Sequence, residues 1–161
     1  MSDTELKRVL FVCMGNICRS PTAEGVFREL LSRHSLAEQV ETDSAGTHGY
    51  HVGNPPDPRA QQEARARGMD ISDLRARQFT VTDFQYFDWI IAMDQANLEI
   101  LLAECPDARR GRVRLLMEFA RDSGIREVPD PYYGGDDGFR QVFDMVEQGC
   151  AGLLEALGKG H

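Results

Sequence analysis

The apolar run Arg8-Val9-Leu10-Phe11-Val12 breaks directly into the loop Cys13-Met14-Gly15-Asn16-Ile17-Cys18-Arg19-Ser20. Ser20-Pro21 then opens a stripe at helical spacing, Ala23, Val26, Phe27, Leu30 and Leu31. A short continuous apolar run suits a strand buried on both faces. Serine at a cap and proline at the first helical position suit a helix start. A buried strand that feeds a helix through one tight loop points to a parallel sheet with crossover helices.

The rest of the chain repeats the pattern. Val40 to Ala45 reads as a second strand ending in Ser44-Ala45-Gly46, and Asp57-Pro58 starts a helix that runs to Gly68. Trp89-Ile90-Ile91-Ala92-Met93 reads as a central strand ending at Asp94, followed by a helix with Leu98, Leu101 and Leu102 that stops before Pro106. Val113 to Met117 is the fourth strand. A long loop carries Asp130-Pro131-Tyr132-Tyr133-Gly134-Gly135, and a closing helix shows Phe139, Val142, Phe143, Val146, Cys150, Leu153, Leu154 and Leu157 on one stripe. The expected fold is α/β, a four-stranded parallel sheet with helices on both faces and a phosphate-binding loop between the first strand and the first helix. In such sheets ligands sit beyond the carboxyl ends of the strands. Cys13, Ser44 and Asp94, from three separate segments, all fall just past those ends.

Composition narrows the function classes. The 161 residues, 42% of them hydrophobic, suit one domain spanning 1–161 rather than two. No segment approaches the roughly 20 apolar residues of a membrane span, and the polar start Met-Ser-Asp-Thr-Glu-Leu-Lys-Arg is no secretory signal. The net charge of −8 repels nucleic acid and anionic membranes at long range. The basic stretch Arg109, Arg110, Arg112 and Arg114 lacks interleaved aromatics and reads as a solvated loop leading into a strand. The cysteines, at 13, 18, 105 and 150, form no metal-type pairs with each other or with histidine, so neither metal nor cofactor is expected. They fit a reducing, cytoplasmic setting better than a disulfide framework. Cys105 and Cys150 read as inert packed thiols.

An acidic chain that binds phosphate must build its positive field locally, and the loop at 13–20 does so. Successive main-chain N–H groups can point inward, the helix N-terminus adds positive potential, and Gly15 and Asn16 tolerate the positive φ such a curl needs. Met14, Gly15, Asn16, Ile17, Cys18 and Ser20 are therefore candidate phosphate-binding positions. Arg19 can grip two phosphoryl oxygens with its planar fork. The same field favours the Cys13 thiolate, the form that attacks phosphorus, and the Ser20 hydroxyl can donate to that sulfur. The Gly-Lys-Ser/Thr ending of an ATP-binding loop is missing. A phenolate leaving group also calls for a proton donor outside the loop. Asp130 is a candidate; read from spacing alone, it is equally a turn aspartate. Asp136 and Asp137 read as the cap of the last helix.

The stretch Cys13-Met-Gly-Asn-Ile-Cys-Arg-Ser-Pro-Thr-Ala-Glu24, together with Ser44-Ala-Gly-Thr47, Arg75-Ala-Arg-Gln78, Ala92-Met-Asp94 and Asp130-Pro-Tyr-Tyr-Gly-Gly135, resembles the low-molecular-weight protein tyrosine phosphatases, in the family's order and over nearly the whole chain. The resemblance implies metal-independent, cofactor-free hydrolysis of phosphotyrosine in proteins through a phosphocysteine, with inorganic phosphate as product and inhibitor. It implies Cys13 as nucleophile, Arg19 as clamp and Asp130 as general acid, then base. It also implies Asn16 and Ser44 as braces of the loop, Ser20 as partner of the sulfur, and Tyr132 and Tyr133 as one wall of the substrate pocket. Tyr50 or His48 would form the opposite wall. Where the family commonly has a histidine before Ala-Arg-Gln, this chain has Leu74-Arg75. Cys18 is placed to trap an oxidised Cys13 as a disulfide.

Two rival readings differ in chemistry. A thiol-dependent arsenate reductase reuses this kind of loop but relays a disulfide to further cysteines on a mobile segment; Cys105 and Cys150 lie far apart, one ending a helix and the other on a packed stripe. A non-catalytic phosphotyrosine-binding module would be expected to lack the nucleophile or the acid, and both are present.

Overall fold

Four parallel strands, β1 (Lys7–Cys13), β2 (Val40–Gly46), β3 (Trp89–Ala92) and β4 (Val113–Leu115), pair in the order β2-β1-β3-β4. The computed structural model describes residues 6–131 and 135–158. The helices are α1 (Arg19–Arg33), α2 (Pro58–Ala66), the short α3 (Asp83–Tyr86), α4 (Gln95–Glu104) and α5 (Gly135–Gly158). Among the described residues, no helix is long and apolar enough to cross a membrane.

The alternation of side chains along β1 explains why its sequence is apolar without a break. Val9, Phe11 and Cys13 face α1 and α5, in a core with Phe27, Leu31, Phe143 and Val146. Leu10 and Val12 face the other way, onto Phe84 and Leu101 of α3 and α4. Both faces are thus covered, as a parallel sheet requires. Phe11 and Phe27 meet edge to face, centroids 5.6 Å apart, an arrangement adding about 0.5–1.5 kcal/mol beyond the area they bury.

The boundaries depart from expectation at several points; α2 stops at Ala66 rather than Gly68 and β3 at Ala92 rather than Met93. Helix α1 begins at Arg19, so Ser20 lies inside its first turn rather than at the cap, and Pro21 sits at the third helical position rather than the first. Strand β4 stops at Leu115, because Glu118 accepts from the Leu115 amide at 2.9 Å and turns Leu116–Phe119 into a 3-10 helix. Helix α5 already includes Asp137, which pairs with Arg140 one turn on instead of capping. Helix α2 starts as its sequence implies: Asp57 accepts from the Arg59 amide at 2.8 Å, with Pro58 at the first position. The arginines at 109, 110 and 112 sit on an exposed 3-10 helix before β4.

The chain leaves β1 for β2 on one side and reaches β3 on the other, so the strand order reverses beside β1. The loop after β1 opens at this switch point, where crevices form in open α/β sheets.

Candidate active site

Three donors surround the sulfur of Cys13. The Ser20 hydroxyl lies 3.1 Å from Sγ, the Asn16 amide 3.3 Å and the Ser20 amide 3.4 Å. The loop curls this tightly because Asn16 takes the left-handed conformation, φ 59°, while Gly15 does not. Glycine serves at 15 for space: a Cβ there would stand 3.0 Å from the His51 ring. Asn16 is held at both ends of its amide, its Nδ2 donating to Ser20 Oγ at 2.7 Å and its Oδ1 accepting from the Arg77 amide at 2.9 Å. Further main-chain bonds fix the loop's rim, from Thr47 to the Cys13 carbonyl (2.8 Å), His48 to Met14 (3.0 Å) and Asp57 to Ile17 (2.8 Å).

Arg19 is 2% exposed, too buried for its charge to be screened by water. Its Nη1 donates to Asp94 Oδ2 at 2.6 Å and to the Val128 carbonyl at 3.0 Å, and Nη2 lies 3.8 Å from Asp130. Burial works against the guanidinium charge, but Cys13, Asp94 and Asp130 outweigh it and hold the group above the ordinary arginine range. Arg19 is thus a permanent cation, orientated before any anion arrives. Asp94 lies two residues past β3 and caps α4 by accepting from Asn97, so the helix start itself fixes the carboxylate. The Val128 amide donates to the Met93 carbonyl at 2.8 Å, which lays residues 128–130 across the end of β3 and brings Asp130 to the cleft.

The cleft encloses about 280 Å³ and is lined by the loop residues Cys13, Met14, Gly15, Ile17, Cys18 and Arg19 together with Tyr50, His51 and Asp130. Of Cys13, Ser44 and Asp94, expected together beyond the strand ends, Cys13 lines the cleft; Asp94 reaches it only through Arg19, and Ser44 does not line it. Tyr50 is 74% exposed and stacks on His48, centroids 5.2 Å apart. Tyr50 and His51 line the cleft, and His48 does not. Tyr132 and Tyr133 lie outside the described residues.

Ser44 does not act on the loop as expected. It pairs in register with Phe11, two residues short of the level of Cys13, and its hydroxyl donates to Glu24 Oε1 at 2.8 Å. Ser44 ties β2 to α1, and the bracing falls to Asn16. Burial pushes the Glu24 carboxyl above its usual range, against the pull of the Ser44 bond.

The two loop cysteines differ. Burial, then the charges of Asp57, Cys13 and Asp130, push the Cys18 thiol up, and Arg19 offsets this only in part. Cys18 stays a thiol, while the donors converge on Cys13. The residues that sequence reasoning passed over are Asp94 as partner of Arg19, His51 in the cleft wall and Arg77 behind Asn16. Asp94 was placed just past a strand end and inside the motif Ala92-Met-Asp94, but with no partner assigned.

The family model for low molecular weight phosphotyrosine protein phosphatase matches residues 8–161. A low molecular weight protein-tyrosine-phosphatase of Bacillus subtilis is 40% identical, covering 94% of this chain and 96% of that protein. The human low molecular weight phosphotyrosine protein phosphatase is also 40% identical, over 96% of this chain and 98% of the other. Among solved structures, a protein tyrosine phosphatase from Entamoeba histolytica with Hepes in the active site superposes with a TM-score of 0.92 at 40% identity, covering 96% and 98% of the two chains.

Proposed function

The chain belongs to the low molecular weight phosphotyrosine protein phosphatase family, and from that membership we propose that it hydrolyses phosphotyrosine in proteins through a phosphocysteine at Cys13. The observation that carries the reading is the convergence of the Ser20 hydroxyl and two main-chain amides on one sulfur, beside a buried and permanently charged Arg19.

In the first step Cys13 Sγ attacks phosphorus as the thiolate. The S–P bond forms as the bond to the phenolic oxygen breaks, and Asp130 gives that oxygen a proton. Arg19 and the inward amides hold the equatorial oxygens, where charge is spread in the transition state. In the second step water attacks phosphorus, Asp130 takes its proton, and the sulfur leaves as a thiolate stabilised by Ser20. Inorganic phosphate, the product, fits the same cradle and competes with substrate. Arg19 and the amides supply the positive field, so the reaction needs no metal. A thiolate nucleophile also needs a reduced setting, and we assign this single domain to the cytoplasm.

The test is Cys13→Ser. Turnover of a phosphotyrosine peptide and of p-nitrophenyl phosphate should fall by about 10³-fold or more, since a serine hydroxyl in this cradle has no base to activate it. Inorganic phosphate should still bind, by calorimetry. Turnover by the serine protein close to wild type would overturn the assignment of Cys13.

A further inference from the structure

We propose that Arg77 is a positioning residue for the nucleophile, setting the direction of the hydrogen bond that the Cys13 sulfur receives. This inference rests on the reading of Cys13 as nucleophile.

A main-chain N–H can only donate. The Arg77 amide meets Asn16 at 2.9 Å, so the oxygen of the Asn16 side chain must face it. The nitrogen of that side chain then faces Ser20 Oγ at 2.7 Å and donates to it. With a lone pair of Oγ thus engaged, the serine hydrogen turns to the sulfur at 3.1 Å, the Ala45 carbonyl at 3.5 Å being the weaker alternative. Polarity passes from Arg77 through Asn16 and Ser20, and at its end a proton points at Sγ. Reversed, the serine would offer the sulfur a lone pair and oppose its negative charge.

The relay works only if the Arg77 backbone is held still, and its own side chain does that. The guanidinium bridges Asp43 of β2 at 3.0 Å and both oxygens of Asp83 at 3.1 Å. Asp83 is fixed in turn by the Thr80 amide at 2.9 Å. On the other edge, the Arg77 carbonyl accepts from Gly46 at 2.8 Å, and Phe79 donates to the Gly46 carbonyl at 2.8 Å, so residues 77–79 lie along the end of β2. Burial opposes the Arg77 charge, but Asp83 and Asp43 more than compensate and keep it above the ordinary arginine range. The relay also holds Asn16 in its left-handed backbone, a conformation that costs a non-glycine residue of order 1–3 kcal/mol.

The experiment compares wild type with Arg77→Met, which keeps the stem and loses the clamp, and with Arg77→Lys. Two readouts are taken: kcat and KM for p-nitrophenyl phosphate, and the pH dependence of Cys13 alkylation by iodoacetate, followed by mass. For Arg77→Met, kcat should fall about 10- to 100-fold, as misplacement near the reacting atoms does, and the alkylation profile should move to higher pH than wild type. Arg77→Lys, able to hold one carboxylate, should move both back toward wild type. A folded Arg77→Met protein with an unmoved alkylation profile overturns the proposal, whatever its kcat, because lost rigidity alone would slow turnover without disfavouring the thiolate. If Arg77→Met does not fold, Asp83→Asn carries the same test, with the same upward movement expected and an unmoved profile again overturning it. Alkylation is read without substrate, so a wild type unable to hydrolyse phosphotyrosine would sink the activity proposal and leave this comparison standing.

Discussion

Asp94 Oδ2 accepts from Arg19 Nη1 at 2.6 Å, and Oδ1 of the same carboxylate accepts from the Asn97 amide at 2.8 Å. One side chain caps α4 and aims Arg19, the residue proposed to clamp phosphate. The guanidinium is therefore held by a helix start.

Asp94→Asn separates the two duties, because asparagine caps a helix about as well as aspartate. It should lower kcat/KM for p-nitrophenyl phosphate about tenfold and cost about 1–3 kcal/mol in urea unfolding. Asp94→Ala, which leaves a buried cation short of its partner and removes the cap, should cost about 3–5 kcal/mol. A wild-type kcat/KM for Asp94→Asn would show that the carboxylate does not orient Arg19.

Asp130→Ala removes the group assigned to protonate the leaving oxygen. With a phosphotyrosine peptide kcat should fall about 10²- to 10⁴-fold. With p-nitrophenyl phosphate, whose phenolate leaves with less help, the loss should be smaller. Equal losses on the two substrates would mean that Asp130 acts on binding rather than on proton transfer.

Glu24 is buried in a carboxyl form that burial favours protonating. Its folded value lies above its unfolded one, so between them the native state holds more protons than the unfolded chain. Stability from this group is therefore complete below the ordinary glutamate range and declines as pH rises through the raised value. Glu24→Gln keeps an acceptor for Ser44 and removes the charge. It should raise the thermal midpoint at neutral pH and leave it nearly unchanged at low pH, in calorimetry at both. A lower midpoint at neutral pH would contradict the burial argument.

Arg67 joins the end of α2 farthest from the loop to α5, contacting Glu63 at 2.8 Å, Asp144 at 3.0 Å and Glu147 at 3.1 Å, and lying 5.1 Å over the Phe143 ring. Arg67→Ala should cost about 1–2 kcal/mol, the scale of a partly exposed network with a cation–π contact, and leave turnover at the wild-type level. Chemical denaturation and p-nitrophenyl phosphate kinetics on one preparation check both halves.

Strands β1 and β3 were legible because they are buried on both faces, so an apolar run marks each directly, and α5 because its buried residues form one stripe; β2, half-buried at Glu41, Thr42 and Asp43, carries no such run. The loop was legible because Cys13, Asn16, Arg19 and Ser20 act within eight consecutive residues. What lay hidden were partners distant in sequence. Asp94 and the Val128 carbonyl reach Arg19 only once β3 and the segment after β4 lie side by side, and nothing in their spacing announces it. Ser44 was assigned to the loop by the family resemblance, but the register sets it opposite Phe11, where α1 and Glu24 are the neighbours. Arg77 works partly through its backbone amide, a group that every residue except proline carries, so no residue type could have flagged that half of its role.

Strands β1 and β3 each have a neighbour on both sides, which makes them the last parts of the sheet to surrender their amides to solvent exchange. Asp130, by contrast, hangs on a segment attached to the end of β3 through Val128 and to Arg19. If Asp130 and Cys13 act as proposed, a molecule that opens from its periphery loses the release of a phenol while it still captures phosphate, and inactivation by heat or denaturant precedes the loss of the anion cradle.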